Sequence, residues 1–159
     1  MEKLQKNHGF TFWHTFTLDG KGRVSIPAAY REELGETIAA CRFIGNQNVI
    51  SLYPLDAWQE LNEKLASSLD PRAVALRNYI YGSKINLTID ADGRVIFPKE
   101  LLNLTKFEYG TKMNVTFVGA GNYIQMWKTP DWEVELEKRE EELKSINLTE
   151  IAGNLEIVV

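Results

Sequence analysis

The segment Thr17-Leu18-Asp19-Gly20-Lys21-Gly22-Arg23-Val24-Ser25-Ile26-Pro27 returns 71 positions later as Thr88-Ile89-Asp90-Ala91-Asp92-Gly93-Arg94-Val95-Ile96-Phe97-Pro98. In each copy an Asp and a Gly bracket a tight turn between apolar, β-prone runs, and an arginine follows directly. A chain that repeats itself in this way is committed to two related halves, each lifting one guanidinium on an equivalent turn. Paired basic turns suit a partner that itself repeats.

The repeat extends further. Asn48-Val49-Ile50-Ser51-Leu52-Tyr53 with Trp58 answers Asn122-Tyr123-Ile124-Gln125-Met126-Trp127 with Trp132, now 74 positions apart. A small insertion around Phe107 to Thr111 accounts for the change. Halves of about 70 residues rarely build separate cores without disulfides or metals, so one shared core is expected.

The residues between these landmarks predict an α+β fold with a mainly β core. Phe12 to Leu18 is rich in aromatic and β-branched side chains and reads as a strand. Asp19 to Gly22 turns the chain into a returning strand, Arg23 to Ile26. Pro27 then opens a short helix that Leu34-Gly35 ends, and Pro98, Leu101 and Leu104 repeat the pattern. Cys41 to Ile44 and Asn48 to Tyr53 form another strand pair, matched by Met113 to Val118 and Tyr123 to Trp127.

Helices follow each β unit. Asp56 is placed to cap one carrying Trp58, Leu61, Leu65 and Leu69 on one stripe. Asp70-Pro71 opens a second, with Ala73, Leu76 and Ile80 inward and Gly82 at its end. Thr129-Pro130 begins a third, and Leu155 to Val159 reads as a short strand or disordered tail. The boundaries are 10–55 for the first unit, 56–82 for linking helices, 83–128 for the second unit and 129–159 for the carboxyl-terminal helix and tail.

A net charge of −4 argues at first against nucleic acid, but the charge is uneven. Nine acidic and three basic residues lie from Asp131 onward, which leaves the remainder at +2. In residues 1–31 Lys3, Lys6, Lys21, Arg23 and Arg31 face only Glu2 and Asp19. This leaves room for a modest basic face on an acidic protein, where placement matters more than the sum. The single cysteine, Cys41, and the lack of a signal-peptide or membrane-length apolar run point to a reducing cytoplasm and no membrane partner. The Asn86, Asn103, Asn114 and Asn147 sequons are therefore read as chance.

Catalytic and cofactor motifs are not assembled. Gly119-Ala120-Gly121 lacks the dinucleotide fingerprint, Gly20-Lys21-Gly22 lacks Walker spacing, and His8, His14 and Cys41 do not make a metal-ligand pattern. The Glu140-Glu141-Glu142 run points in different directions on a helix and reads as a solvated face. No enzyme, no cofactor and no metal site are expected.

The doubled Asp-x-x-Gly-Arg motif, Leu52-Tyr53-Pro54-Leu55-x-x-Trp58, the capped linker helix and Val118-Gly119 with Ile124-x-x-Trp127 closely resemble the MraZ family of bacterial transcriptional regulators. The resemblance covers roughly residues 10–150. It implies two tandem AbrB-like halves forming a pseudo-twofold swapped-hairpin barrel with peripheral helices. It also implies assembly into a ring and nucleoid-associated binding of double-stranded DNA at direct repeats ahead of a division and cell-wall operon. The family's DNA-contacting arginine falls on Arg23 and Arg94, with Asp19, Gly22, Asp90 and Gly93 shaping the turns. Lys21 is a third contact, whereas the second copy carries Asp92 at that position. Residues 1–9 form a longer start than the family implies.

Chemistry favours this use of arginine. A planar guanidinium donates two hydrogen bonds to the O6 and N7 of guanine, worth roughly 1–3 kcal/mol in discrimination, and a two-stranded ribbon fits the major groove. Two other readings stay open at this level: the arginines are solvated turn residues paired with Asp19 and Asp90, or the chain is an oligomeric protein-interaction module with incidental DNA affinity.

Overall fold

A computed structural model describes residues 8–159, so Lys3 and Lys6 of the basic amino-terminal stretch, and most of the longer start, lie outside the described residues. The chain divides into two compact units, one ending at Thr129 and one spanning Pro130–Val159.

In the first unit the elements run β1 (Trp13–Leu18), β2 (Arg23–Ser25), α1 (Ala28–Leu34), β3 (Thr37–Phe43), β4 (Asn46–Pro54), α2 (Leu55–Ser67), α3 (Pro71–Tyr81), β5 (Ile85–Thr88), β6 (Arg94–Ile96), α4 (Lys99–Leu104), β7 (Met113–Gly119) and β8 (Ile124–Lys128). The duplication predicts this order, and each half contributes four strands and one short helix in the same sequence. The strands form a six-stranded antiparallel sheet, β1-β7-β8-β4-β3-β5, and a two-stranded ribbon, β2-β6. Exchanging the halves, β1 for β5, β2 for β6, and so on, reverses the order of the large sheet and leaves it unchanged. The sheet is thus pseudo-twofold about the β8–β4 pairing.

The returning strands predicted after Asp19 and Asp90 find their ladder partners in the opposite half. The Asp19 and Asp90 turns do not join strands that ladder with each other: β2 pairs with β6, β1 with β7, and β5 with β3, so each turn hands its second strand to the opposite half. Local sequence does not distinguish the two arrangements, because the same alternation of buried and exposed residues satisfies either partner. Barrel closure is not among these pairings, and β1 and β5 stand at opposite ends of the sheet order.

A single core fills the space between the halves, as the size argument requires. Phe10, Leu18, Val24, Ile26, Leu34, Ile38, Ile50 and Leu52 pack with Val95, Phe97, Leu102, Val115, Phe117 and Met126, drawing on both copies. A smaller cluster of Ala39, Cys41, Tyr53, Leu65 and Ile80 seats α2 and α3 on the sheet.

The linking helices differ in detail from their sequence patterns. Asp70 caps α3 as predicted, accepting the Arg72 amide at 2.9 Å. Asp56 instead lies inside the first turn of α2, which Pro54 precedes, and its carboxylate accepts the His8 ring. Leu69 falls beyond the end of α2 and is 99% exposed, and Leu76 faces outward on α3.

The insertion within the second half is a longer loop. Gly35-Glu36 joins α1 to β3, whereas residues 105–112 join α4 to β7. This loop leans on the first turn, where the Gly110 amide donates to the Gly20 carbonyl at 3.1 Å. A β-carbon at residue 20 would press on the Gly110 carbonyl, which explains why Gly20 answers to Ala91 in the second copy.

The second unit holds most of α5 (Thr129–Leu143) and α6 (Leu148–Asn154). α5 carries an i to i+4 ion pair between Glu135 and Arg139, and Arg139 also lies over the Trp132 ring. Asn147 caps α6 through the Glu150 amide. Leu155 to Val159, read as a short strand or a disordered tail, follows α6 and forms no strand among the described residues.

Candidate nucleic-acid interface

The two turns are built identically. In the first, the Asp19 amide donates to the Arg23 carbonyl, the Gly22 amide donates to the Asp19 carbonyl, and one Asp19 carboxylate oxygen accepts the Lys21 and Arg23 amides at 2.9 Å. In the second, Asp90, Gly93, Asp92 and Arg94 repeat each of these bonds. The aspartate therefore replaces missing backbone partners inside the turn. Gly22 and Gly93 adopt φ of 81° and 78°, a left-handed region that favours glycine.

Reciprocal bonds lock each turn to the other half. The Ile26 amide donates to the Gly93 carbonyl, and the Phe97 amide to the Gly22 carbonyl, both at 2.8 Å. What stands behind each glycine differs. Gly22 is backed by the Phe97 carbonyl and Leu102, Gly93 by the Arg31 guanidinium, whose Nε donates to the Ile26 carbonyl at 2.8 Å. In the sequence Arg31 is one of several amino-terminal charges. Its special position was detectable as a broken repeat, since residue 102, 71 positions on, is leucine.

The carboxylates of both turns are held below their ordinary value of 3.8. For Asp19 desolvation pushes upward, and the Arg23 amide and side chain with the Lys21 amide outweigh it. For Asp90 the Arg94 amide is the leading cause, assisted by the Asp92 amide and the Arg94 charge. Such groups contribute stability that is fully present above the unfolded value and is lost as pH falls through the lowered one. Urea unfolding is expected to show stability declining below about pH 3.8, with a shallower decline in the Asp19→Asn/Asp90→Asn double variant. An equal decline in that variant would place the acid sensitivity elsewhere.

The ribbon brings both arginines onto one surface. Arg23 faces Ile96 across the β2–β6 ladder and Ser25 faces Arg94, while Val24 and Val95 point into the core. Arg23 and Arg94 thus occupy diagonal corners of one outward face, a separation of roughly 7–8 Å for antiparallel neighbours. Each is 45% exposed. Each is also held by its turn: Arg23 Nε donates to Asp19 at 2.8 Å, and Arg94 reaches Asp92 at 3.1 Å and Asp90 at 3.6 Å. Turn pairing and solvent presentation therefore coexist in both arginines. Lys21 is exposed at the tip of the first turn.

The other candidate groups lie elsewhere. His8 is buried, with Nδ1 3.2 Å from Glu33 and Nε2 2.8 Å from Asp56. His14 lies on β1 against Tyr30, and Cys41 lies in the smaller core cluster, where burial pushes its thiol up to about 12. Trp127 is buried and donates to the Gln125 side chain, and Trp58 is half-buried beneath Lys84. No helix among the described residues is long and apolar enough to cross a membrane.

Comparison with known proteins matches the family model for the MraZ protein, described as antitoxin-like, twice along the chain, at residues 10–78 and 80–152. Proteins named transcriptional regulator MraZ are similar over most of their length. That of Syntrophomonas wolfei subsp. wolfei is 36% identical over 119 residues, covering 73% of this chain and 78% of the relative. That of Nitrosococcus oceani is 32% identical over 145 residues, covering 87% and 93%. That of Caldanaerobacter subterraneus subsp. tengcongensis is 31% identical over 141 residues, covering 83% and 94%.

Proposed function

Because this chain belongs to the MraZ family, we propose that it is a sequence-specific DNA-binding transcriptional regulator of its own division and cell-wall operon, acting at the nucleoid, and not an enzyme. The observation that carries this reading is the diagonal placement of Arg23 and Arg94 on one exposed two-stranded ribbon. A spacing of roughly 7–8 Å is close to two base steps of about 3.4 Å each along one strand. Two guanidinium forks so placed address guanine edges within a single major-groove site.

In this reading Arg23 and Arg94 read bases, Lys21 contacts phosphate, and Asp19, Gly22, Asp90 and Gly93 hold the turns. The units 10–55 and 83–128 are AbrB-like halves of a swapped-hairpin barrel, joined by the helices of 56–82 and followed by 129–159. A reading head this small engages one short element weakly. Firm occupancy comes from several chains in a closed ring meeting neighbouring direct repeats, through high effective concentration.

Footprinting on the DNA upstream of its own gene locates the repeats. Affinity is then measured on duplexes bearing one repeat and several, at matched salt. Binding to the array is expected to be about 10²-fold tighter or more. Equal affinity for the two removes the multivalent account. A preference over scrambled DNA that vanishes with added salt removes sequence-specific reading, since a charge-only binder loses both together.

A further inference from the structure

The outward face of the ribbon carries four side chains, and one of them is out of place for a solvated surface. Arg23, Ser25 and Arg94 are polar; Ile96 is apolar, β-branched and 61% exposed. It lies directly across the ladder from Arg23, in the position where Arg94 has Ser25. The core side of this short ribbon is already filled by Val24 and Val95, so Ile96 adds little to packing. It is also the point at which the pseudo-twofold ribbon stops being symmetric.

We infer that Ile96 is the apolar base-edge contact of this ribbon, packing on the C5-methyl of a thymine beside the guanine addressed by Arg23. The inference rests on the DNA reading above and deepens it. The thymine methyl is the one apolar group that a base edge offers in the major groove. A ribbon with an arginine on each strand is nearly self-complementary under twofold rotation and binds a site equally well in both directions. An Arg23–Ile96 corner opposite an Arg94–Ser25 corner removes that degeneracy and sets the polarity with which a chain lies on a direct repeat.

The test enriches binding sites for the full chain from duplexes randomised at the centre, in parallel with Ile96→Ser and Arg23→Ala. The wild type is expected to select a guanine-containing motif with an adjacent thymine, and Ile96→Ser to keep the guanine and lose the thymine. Replacing that thymine by uracil, which lacks only the methyl, is expected to weaken the wild type roughly fourfold, the value of one buried methyl-sized group, and to leave Ile96→Ser unaffected. A guanine motif without thymine preference, or wild-type indifference to uracil, overturns the role of Ile96 and leaves the DNA reading standing. Failure of the wild type to enrich any motif overturns both. Loss of assembly mass in Ile96→Ser by sedimentation, with thymine preference retained, assigns the side chain to contact between copies and overturns the inference.

Discussion

Arg23→Ala is expected to lower affinity for the cognate repeat by about 1–3 kcal/mol, from several-fold to more than a hundredfold, while affinity for scrambled DNA changes far less. The guanidinium is 45% exposed and pairs with the turn carboxylate Asp19, a surface ion pair of little net worth. The melting temperature is therefore expected to move by less than about 4 °C, the shift that 1 kcal/mol produces in a chain of this size.

Arg94→Ala should act in the same direction but more weakly. Arg94 is shared between Asp90 and Asp92, whereas Arg23 has Lys21 beside it where Asp92 stands in the other copy. Lys21→Ala should weaken binding to all sequences alike and reduce the salt slope by about one, as loss of a phosphate contact does. Competition binding on cognate and scrambled duplexes at two salt concentrations separates these outcomes. Unaltered cognate affinity in the Arg23→Ala/Arg94→Ala double variant would falsify the assignment of the ribbon.

Gly22→Ala is expected to destabilise the fold by about 2–6 kcal/mol, and Gly93→Ala by only about 1–3 kcal/mol. Both glycines have positive φ, so both substitutions carry the same backbone strain. They differ in what a new β-carbon meets. At residue 22 it collides with the backbone carbonyl of Phe97, whose own amide is bonded to the Gly22 carbonyl. That carbonyl moves only if the turn lets go of the opposite half. At residue 93 the collision is with the Arg31 guanidinium, the far end of a flexible side chain, which swings aside at the loss of its bond to Ile26. Urea unfolding of the two variants gives the comparison directly, and equal losses would show that backbone strain alone sets the cost.

Much of this architecture was legible in residues. The 71-residue repeat announced the order of elements, the paired turns and the shared core, and Asp70-Pro71 marked the start of α3. Strand partners were not legible. Val24 alternates with Arg23 and Ser25 in the same way whether β2 pairs with β1 or with β6, so period and composition are silent where two copies compete for one strand. Single apolar residues misled for a related reason: Leu69 fits the helical stripe of α2, but the helix ends before reaching it. Arg31 and Ile96 became visible only against the duplication, as places where one half declines to copy the other. The turn residues were found because their chemistry is local, and the convergence of Arg23 with Arg94 was not, because it depends on a ladder between segments 71 positions apart.

The crossed ladder has a consequence for how the molecule behaves when scarce. A reading head assembled from two separate polypeptides comes apart on dilution, because its halves must find each other by collision. Here the segment through α2 and α3 tethers them covalently, so every molecule carries a complete pair of forks at any concentration. Dilution then separates one chain from another, never Arg23 from Arg94.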